Sequence, residues 1–175
     1  MRRDILEAAA ALAWCLVLGW VAFARSSPVP MLELVDLGFH ELGHLVTYPL
    51  PWDGLTAAMG TLFQIGVPAG LAAYFGFRRR EPASAAVCLA WAATSAQSAS
   101  VYIADAPYER LALIGGDHDW AFLLFGSDHL GWAAPLATAT RTGGLMLLLG
   151  AVALAASAAR PKREPGPPVP VRFLD

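Results

Sequence analysis

Long apolar segments constrain the fold of this chain more than any other feature of its sequence. A helix needs about 20 residues to cross the ~30 Å hydrocarbon core of a membrane. Segments of about this length cover residues 5–24, 56–77, 83–104 and 142–159. The chain is 57% hydrophobic and only 15% charged, whereas an average soluble domain is about 25% charged. The sequence therefore predicts an all-α, polytopic membrane helix bundle.

The chain length and the composition of its end predict how the domain is bounded. With 175 residues, we expect a single integral-membrane domain over residues 1–160. Residues 161–175 are rich in proline and basic side chains, which is typical of a disordered tail. The net charge of -2 argues against nucleic acid as a partner, and the expected partner is the lipid bilayer.

Ala22-Phe23-Ala24 also fits a cleavage site, so the first segment is either an anchor or a signal peptide.

Basic residues near the ends of the apolar segments predict the topology, because such residues stay on the cytoplasmic side. They occur at Arg2 and Arg3, at Arg78 to Arg80, and in the tail at Arg160, Lys162 and Arg163. Four crossings place all of them, and both termini, in the cytoplasm. Residues 31–48 then form a re-entrant or interfacial helix on the outer side, together with a polar loop over 105–130. The alternative, in which 31–48 also crosses, separates the arginine triplet from the N-terminal pair.

The stretch "FHELGHLV", residues 39–46, lies within the predicted helix 31–48. His40 and His44 share one helix face, one turn apart, and can bind one Zn²⁺ at ~2.0–2.1 Å. Glu41 points about 100° away from His40, so it can accept a proton from zinc-activated water without being a ligand. The alternative is a pair of histidines and a glutamate buried for packing, but such groups are costly in a membrane.

A catalytic zinc needs a third protein ligand and an open position, and the 105–130 loop offers several candidates. His118 and Asp105 rank about equally, followed by Asp119. Asp105 lies at the end of a predicted crossing helix, which is a rigid platform. His118 and Asp119 belong to "GGDHDW", a segment that can fold over a metal. In the alternative interpretation, Asp105 is an interfacial helix end and the loop carboxylates are solvated.

Two further polar residues are candidates for roles around the metal. Asp36 lies one turn before His40 and can accept the ring N–H of that histidine, although a plain helix-start carboxylate is equally compatible with its position. Gln64 is an amide inside an apolar segment. It either bonds a neighbouring helix or lines the site and touches a substrate carbonyl.

The motif "HELGH", with glycine in its fourth place and apolar sequence around it, resembles the site-2 protease class of intramembrane zinc metallopeptidases. "GTLFQ", residues 60–64, is a weaker match to a segment of that family. The resemblance implies zinc ligands at His40 and His44, a general base at Glu41, and an aspartate ligand at Asp105 in "YIADAP". The chain also resembles small bacterial membrane proteins that pair this motif with a later "HDW", which adds His118 and Asp119 as candidates.

Two kinds of function are compatible with these features. The first is a membrane-embedded zinc metallohydrolase of a bacterial inner (plasma) membrane, a peptidase acting on a membrane protein or peptide. The second is a non-catalytic metal-binding membrane protein, such as a transporter component, a sensor or an assembly factor. The two differ at Glu41, because only the hydrolase needs a proton acceptor beside the metal.

Overall fold

The computed structural model describes residues 2–113 and 117–159, and the regular structure in these residues is entirely helical. They form six α-helices: α1 (Arg2–Gly19), α2 (Leu32–Thr47), α3 (Asp53–Ala73), α4 (Pro82–Asp105), α5 (Asp119–Phe125) and α6 (Ala133–Ala158). π-Helical turns extend α1 over Trp20–Ala24 and α3 over Tyr74–Arg79, and a 3₁₀ turn at Leu130–Trp132 precedes α6. The predicted all-α class is confirmed. The predicted tail, 161–175, lies outside the described residues.

Three helical stretches in the described part of the chain are long and apolar enough to cross a membrane. They cover Asp4–Ala24, Asp53–Arg79 and Leu130–Ala158, which agree with three of the four predicted crossings. The fourth, 83–104, forms α4, which has 24 residues but is not among these three. Serine, threonine and glutamine side chains along α4 lower its hydropathy.

Helix α4 is the central helix of the bundle, packed against α1, α3 and α6 and most extensively against α6. Its buried face consists mainly of alanine and serine, with Ala90, Ala92 and Ala93 completely buried. Such small side chains let helix backbones approach closely. The large apolar side chains of the outer helices, among them Trp20 and Met146, are exposed. Polar groups on α4 therefore face protein, while the outer helices present apolar surface.

The remaining helices, α2 and α5, both pack against α3. α2 matches the predicted helix 31–48 closely and ends ahead of Pro49 and Pro51, which cannot continue a helix. The predicted loop over 105–130 contains a short helix, α5, that the sequence did not indicate. α5 brings residues from that loop next to α2.

Candidate metal centre

Two histidine nitrogens and one carboxylate oxygen converge between α2 and α5. Asp119 Oδ2 lies 2.9 Å from His40 Nε2 and 3.3 Å from His44 Nε2. The three ligand atoms lie within 4.8 Å of one another, and the two imidazole rings meet edge to face. This group can hold a metal ion.

The second nitrogen of each imidazole faces an oxygen that only accepts hydrogen bonds. His40 Nδ1 lies 3.3 Å from Gln64 Oε1, and His44 Nδ1 lies 2.8 Å from the Thr56 carbonyl oxygen. In a neutral ring, Nδ1 therefore carries the hydrogen and Nε2 presents its lone pair to the centre. Metal-binding histidines are typically oriented in this way. Gln64 on α3 therefore hydrogen-bonds His40 on the neighbouring helix α2. This is one of its two predicted roles, and the bond lies at the candidate centre.

Glycines allow α2 and α3 to approach closely at the centre. A Cβ atom on Gly43 would clash with the Met59 carbonyl oxygen. A Cβ atom on Gly60 would lie 2.6 Å from Nε2 of both His40 and His44. The bare backbone of α3 therefore forms one wall of the centre.

The donor set is compatible with zinc, as with other divalent metals that bind imidazole and carboxylate. Imidazole nitrogen and carboxylate oxygen are common zinc ligands, and tetrahedral ligands at ~2.0–2.2 Å from zinc lie ~3.3–3.6 Å apart. The separation of 3.3 Å between His44 Nε2 and Asp119 Oδ2 falls in this range, and that of 2.9 Å between His40 Nε2 and Asp119 Oδ2 is shorter. A cleft of about 470 Å³ opens beside these ligands, between α2, α4 and the segment before α5. Glu41 is exposed and lines this cleft together with the three ligands. A tetrahedral ion held by these three residues would keep one position open.

Asp105 and His118, which the sequence ranked ahead of Asp119, lie against each other instead of beside His40 and His44. His118 Nδ1 accepts a hydrogen bond from the Ala121 N–H at 3.2 Å, and its Nε2 is 3.6 Å from Asp105 Oδ2. The same Asp105 oxygen accepts backbone N–H groups of the loop, those of Arg110 and Leu111. Asp119, ranked third, is the carboxylate that the fold brings to the histidines.

Asp36 does not contact the His40 ring, which was one of the two roles considered for it. Its Oδ1 accepts hydrogen bonds from Trp91 Nε1 at 2.7 Å and from Ser95 Oγ at 2.9 Å. Asp36 therefore joins α2 to α4, and Gln64 occupies the position beside His40 Nδ1 that was predicted for Asp36.

Burial and neighbouring charge act on the two buried ionisable groups of α2. Burial lowers the pKa of His40, but the hydrogen bond and charge of Asp119 outweigh it, so this pKa is raised. Burial raises the pKa of Asp36 to about 6, although the hydrogen bonds from Trp91 and Ser95 lower it. In the metal-free protein, a proton on His40 is therefore stabilised by the same carboxylate that would hold a metal.

Two aromatic residues at the centre were not singled out from the sequence. Trp120 Nε1 donates a hydrogen bond to Thr61 Oγ1 at 3.0 Å, and this bond joins α5 to α3. Tyr102, on α4, is hydrogen-bonded to Asp119. Only the tryptophan carried a sequence signal, because it follows Asp119 directly in "HDW".

No protein-family model, curated protein or solved structure matches this chain.

Proposed function

We propose that this chain is a membrane-embedded zinc metallohydrolase that cleaves peptide bonds. The observation that carries the proposal is the convergence of His40 Nε2, His44 Nε2 and Asp119 Oδ2, with both Nδ1 atoms held by oxygens. Zinc bound by these atoms would activate water and polarise a substrate carbonyl.

Glu41 is the proposed general base. It follows His40 on α2 and lines the cleft without belonging to the ligand group. Its exposed carboxylate can accept a proton from the attacking water and deliver it to the leaving amine.

The lining of the cleft supports a polypeptide substrate. Leu34 and Leu37 give it apolar surface, and Gln64 and Ser98 give it hydrogen-bonding groups. An extended peptide presents both apolar side chains and backbone amides. Gln64 binds His40 through its oxygen, so its amide nitrogen can donate to a substrate carbonyl.

We further propose that α1, α3, α4 and α6 cross a bacterial inner membrane, with α2 as a re-entrant helix on the outer side and both termini cytoplasmic. The 24 residues of α4 extend ~36 Å, whereas the 16 residues of α2 extend only ~24 Å. Enclosure of α4 by the other three helices supports its crossing despite its polar side chains. The guanidinium of Arg141, which directly precedes the predicted crossing 142–159, lies 3.4 Å from the Phe23 carbonyl oxygen near the end of the predicted crossing 5–24. This contact is consistent with the outer ends of these two crossings at one level.

Metal content tests the centre directly. We expect near-stoichiometric zinc in the detergent-purified protein, measured by elemental mass spectrometry without chelators. The His40→Ala/His44→Ala double variant should lose it, because two of the three ligands are gone. His129→Ala, a change at an exposed histidine outside the ligand group, is the matched control and should retain zinc. Equal zinc in the parent and the double variant, or none in either, would contradict the proposal.

Glu41→Gln separates a hydrolase from a non-catalytic metal protein. The amide cannot accept a proton, so we expect zinc content to remain and hydrolysis of a quenched fluorescent peptide library to fall ~10²-fold or more. A parent protein that holds zinc and shows no Glu41-dependent hydrolysis of peptides or membrane-protein substrates would favour the metal-binding alternative.

A further inference from the structure

Tyr102 contacts Asp119 at two points through a single hydroxyl group. The Asp119 backbone N–H donates to Tyr102 Oη at 2.9 Å. The same hydroxyl donates to Asp119 Oδ2, over a distance of 3.2 Å. One contact therefore fixes the backbone of Asp119 and the other fixes its carboxylate.

The oxygen that Tyr102 reaches is the one that faces both histidines, Asp119 Oδ2. A carboxylate oxygen has two lone pairs, so it can accept from Tyr102 while it binds a metal. Without the hydroxyl, the carboxylate could rotate away about its side-chain bonds. The contact thus restricts Asp119 to the rotamer that completes the ligand group.

Asp119 needs such support because of its place in the fold. It is the first residue of α5, a helix of seven residues, and a short helix of this kind is marginal without tertiary contacts. Tyr102 belongs to α4, which is enclosed by three other helices. The hydroxyl also satisfies one of the backbone N–H groups that a helix leaves unpaired at its start.

His118 supports the Tyr102 ring by stacking on it. The two rings are stacked, with centroids 4.2 Å apart and planes at 20°. His118 Nδ1 accepts from the Ala121 N–H, so a neutral ring carries its proton on Nε2, which faces Asp105. His118 therefore has neither nitrogen directed at the metal centre and acts through its ring face.

We propose that Tyr102 is a positioning residue that holds Asp119 in the geometry in which its carboxylate completes the His40–His44 centre, with His118 stacked on the Tyr102 ring. This inference rests on the proposed metal site but not on hydrolysis. It holds equally if the protein binds zinc without catalysing a reaction.

The test is a double-mutant cycle on zinc affinity, measured by titrating zinc against a competing chelator in detergent-solubilised apo protein. Tyr102→Phe keeps the ring and its stacking on His118 but removes the hydroxyl. We expect its zinc affinity to fall ~10–100-fold, as is typical when a group that orients a ligand is lost. Tyr108→Phe, at an exposed tyrosine just beyond α4, is the matched control and should bind zinc like the parent.

The Asp119→Ala background distinguishes positioning from a general structural effect. There the Tyr102→Phe change should alter zinc affinity by less than about twofold, because its partner is already absent. Unchanged affinity of the single variant, or an equal loss in both backgrounds, would overturn the inference. A parent protein that binds no zinc would overturn the proposed centre along with it, whereas zinc binding without hydrolysis would leave the positioning role standing.

Discussion

Gly60 is a residue of α3 that lies directly beside the two motif histidines. A side chain there would occupy the space in front of both Nε2 atoms, since a Cβ would lie 2.6 Å from each. The neighbouring imidazoles are held through Nδ1 by Gln64 and Thr56, so they cannot turn away without losing those contacts.

We therefore expect Gly60→Ala to reduce bound zinc at least ~10-fold, since ligand displacement of a few tenths of an ångström impairs a metal site. Zinc content by elemental mass spectrometry checks this. The matched control is Gly66→Ala on the same helix, where a Cβ would meet no atom within 4 Å. Full zinc content in Gly60→Ala would show that the space beside the histidines is not used by a metal.

At the scale of the element, α4 is the platform on which the other helices are assembled. It contacts α1, α3 and α6 through small side chains, and its Ser95 and Trp91 bind Asp36 of α2. The position of α2, and hence of the histidines, therefore depends on how α4 packs against the other helices.

The α4–α6 contact can be tested with two adjacent glycines. A Cβ on Gly144 would lie 3.0 Å from the Ala93 carbonyl oxygen and 3.1 Å from Ala96 Cβ, whereas one on Gly143 would meet nothing within 4 Å. We expect Gly144→Leu to destabilise the fold by about 1–3 kcal/mol through overpacking. Gly143→Leu, on the exposed face of α6, should change stability little. Thermal unfolding in detergent micelles measures both, and equal midpoints would contradict this packing.

For the whole molecule, the proposed topology makes α4 a crossing helix with its two ends on opposite sides of the membrane. Arg78 precedes α4 at one end, and Ser127 follows α5 at the other. Both side chains are exposed. The metal centre belongs to the Ser127 end, because α5 carries Asp119.

Single cysteines at these two positions test the topology. In a Cys15→Ala/Cys88→Ala background, a membrane-impermeant maleimide should label Ser127→Cys in intact spheroplasts, where the outer face is accessible. Arg78→Cys should be labelled only after the membrane is opened or inverted, because basic residues are retained in the cytoplasm. Labelling of both from one side would exclude a crossing by α4.

Local patterns in the sequence were sufficient for the five long helices and for two of the three residues in the candidate metal centre. Apolar length predicted α1, α3 and α6, since a helix that faces lipid must be apolar over a fixed distance. The spacing of His40 and His44 placed both on one face, because the helical repeat alone determines which residues i and i+4 share a face. The same pattern predicted the position of Glu41 beside them.

The third candidate ligand and its supports were decided only by tertiary structure. Asp105, His118 and Asp119 are similar in chemistry and close in sequence, so no local pattern distinguishes them. Asp119 reaches the histidines because α5 packs on α3 and Tyr102 of α4 holds its backbone and carboxylate. Those contacts join segments far apart in the chain, and such contacts depend on how whole helices pack and not on the periodicity of any one of them.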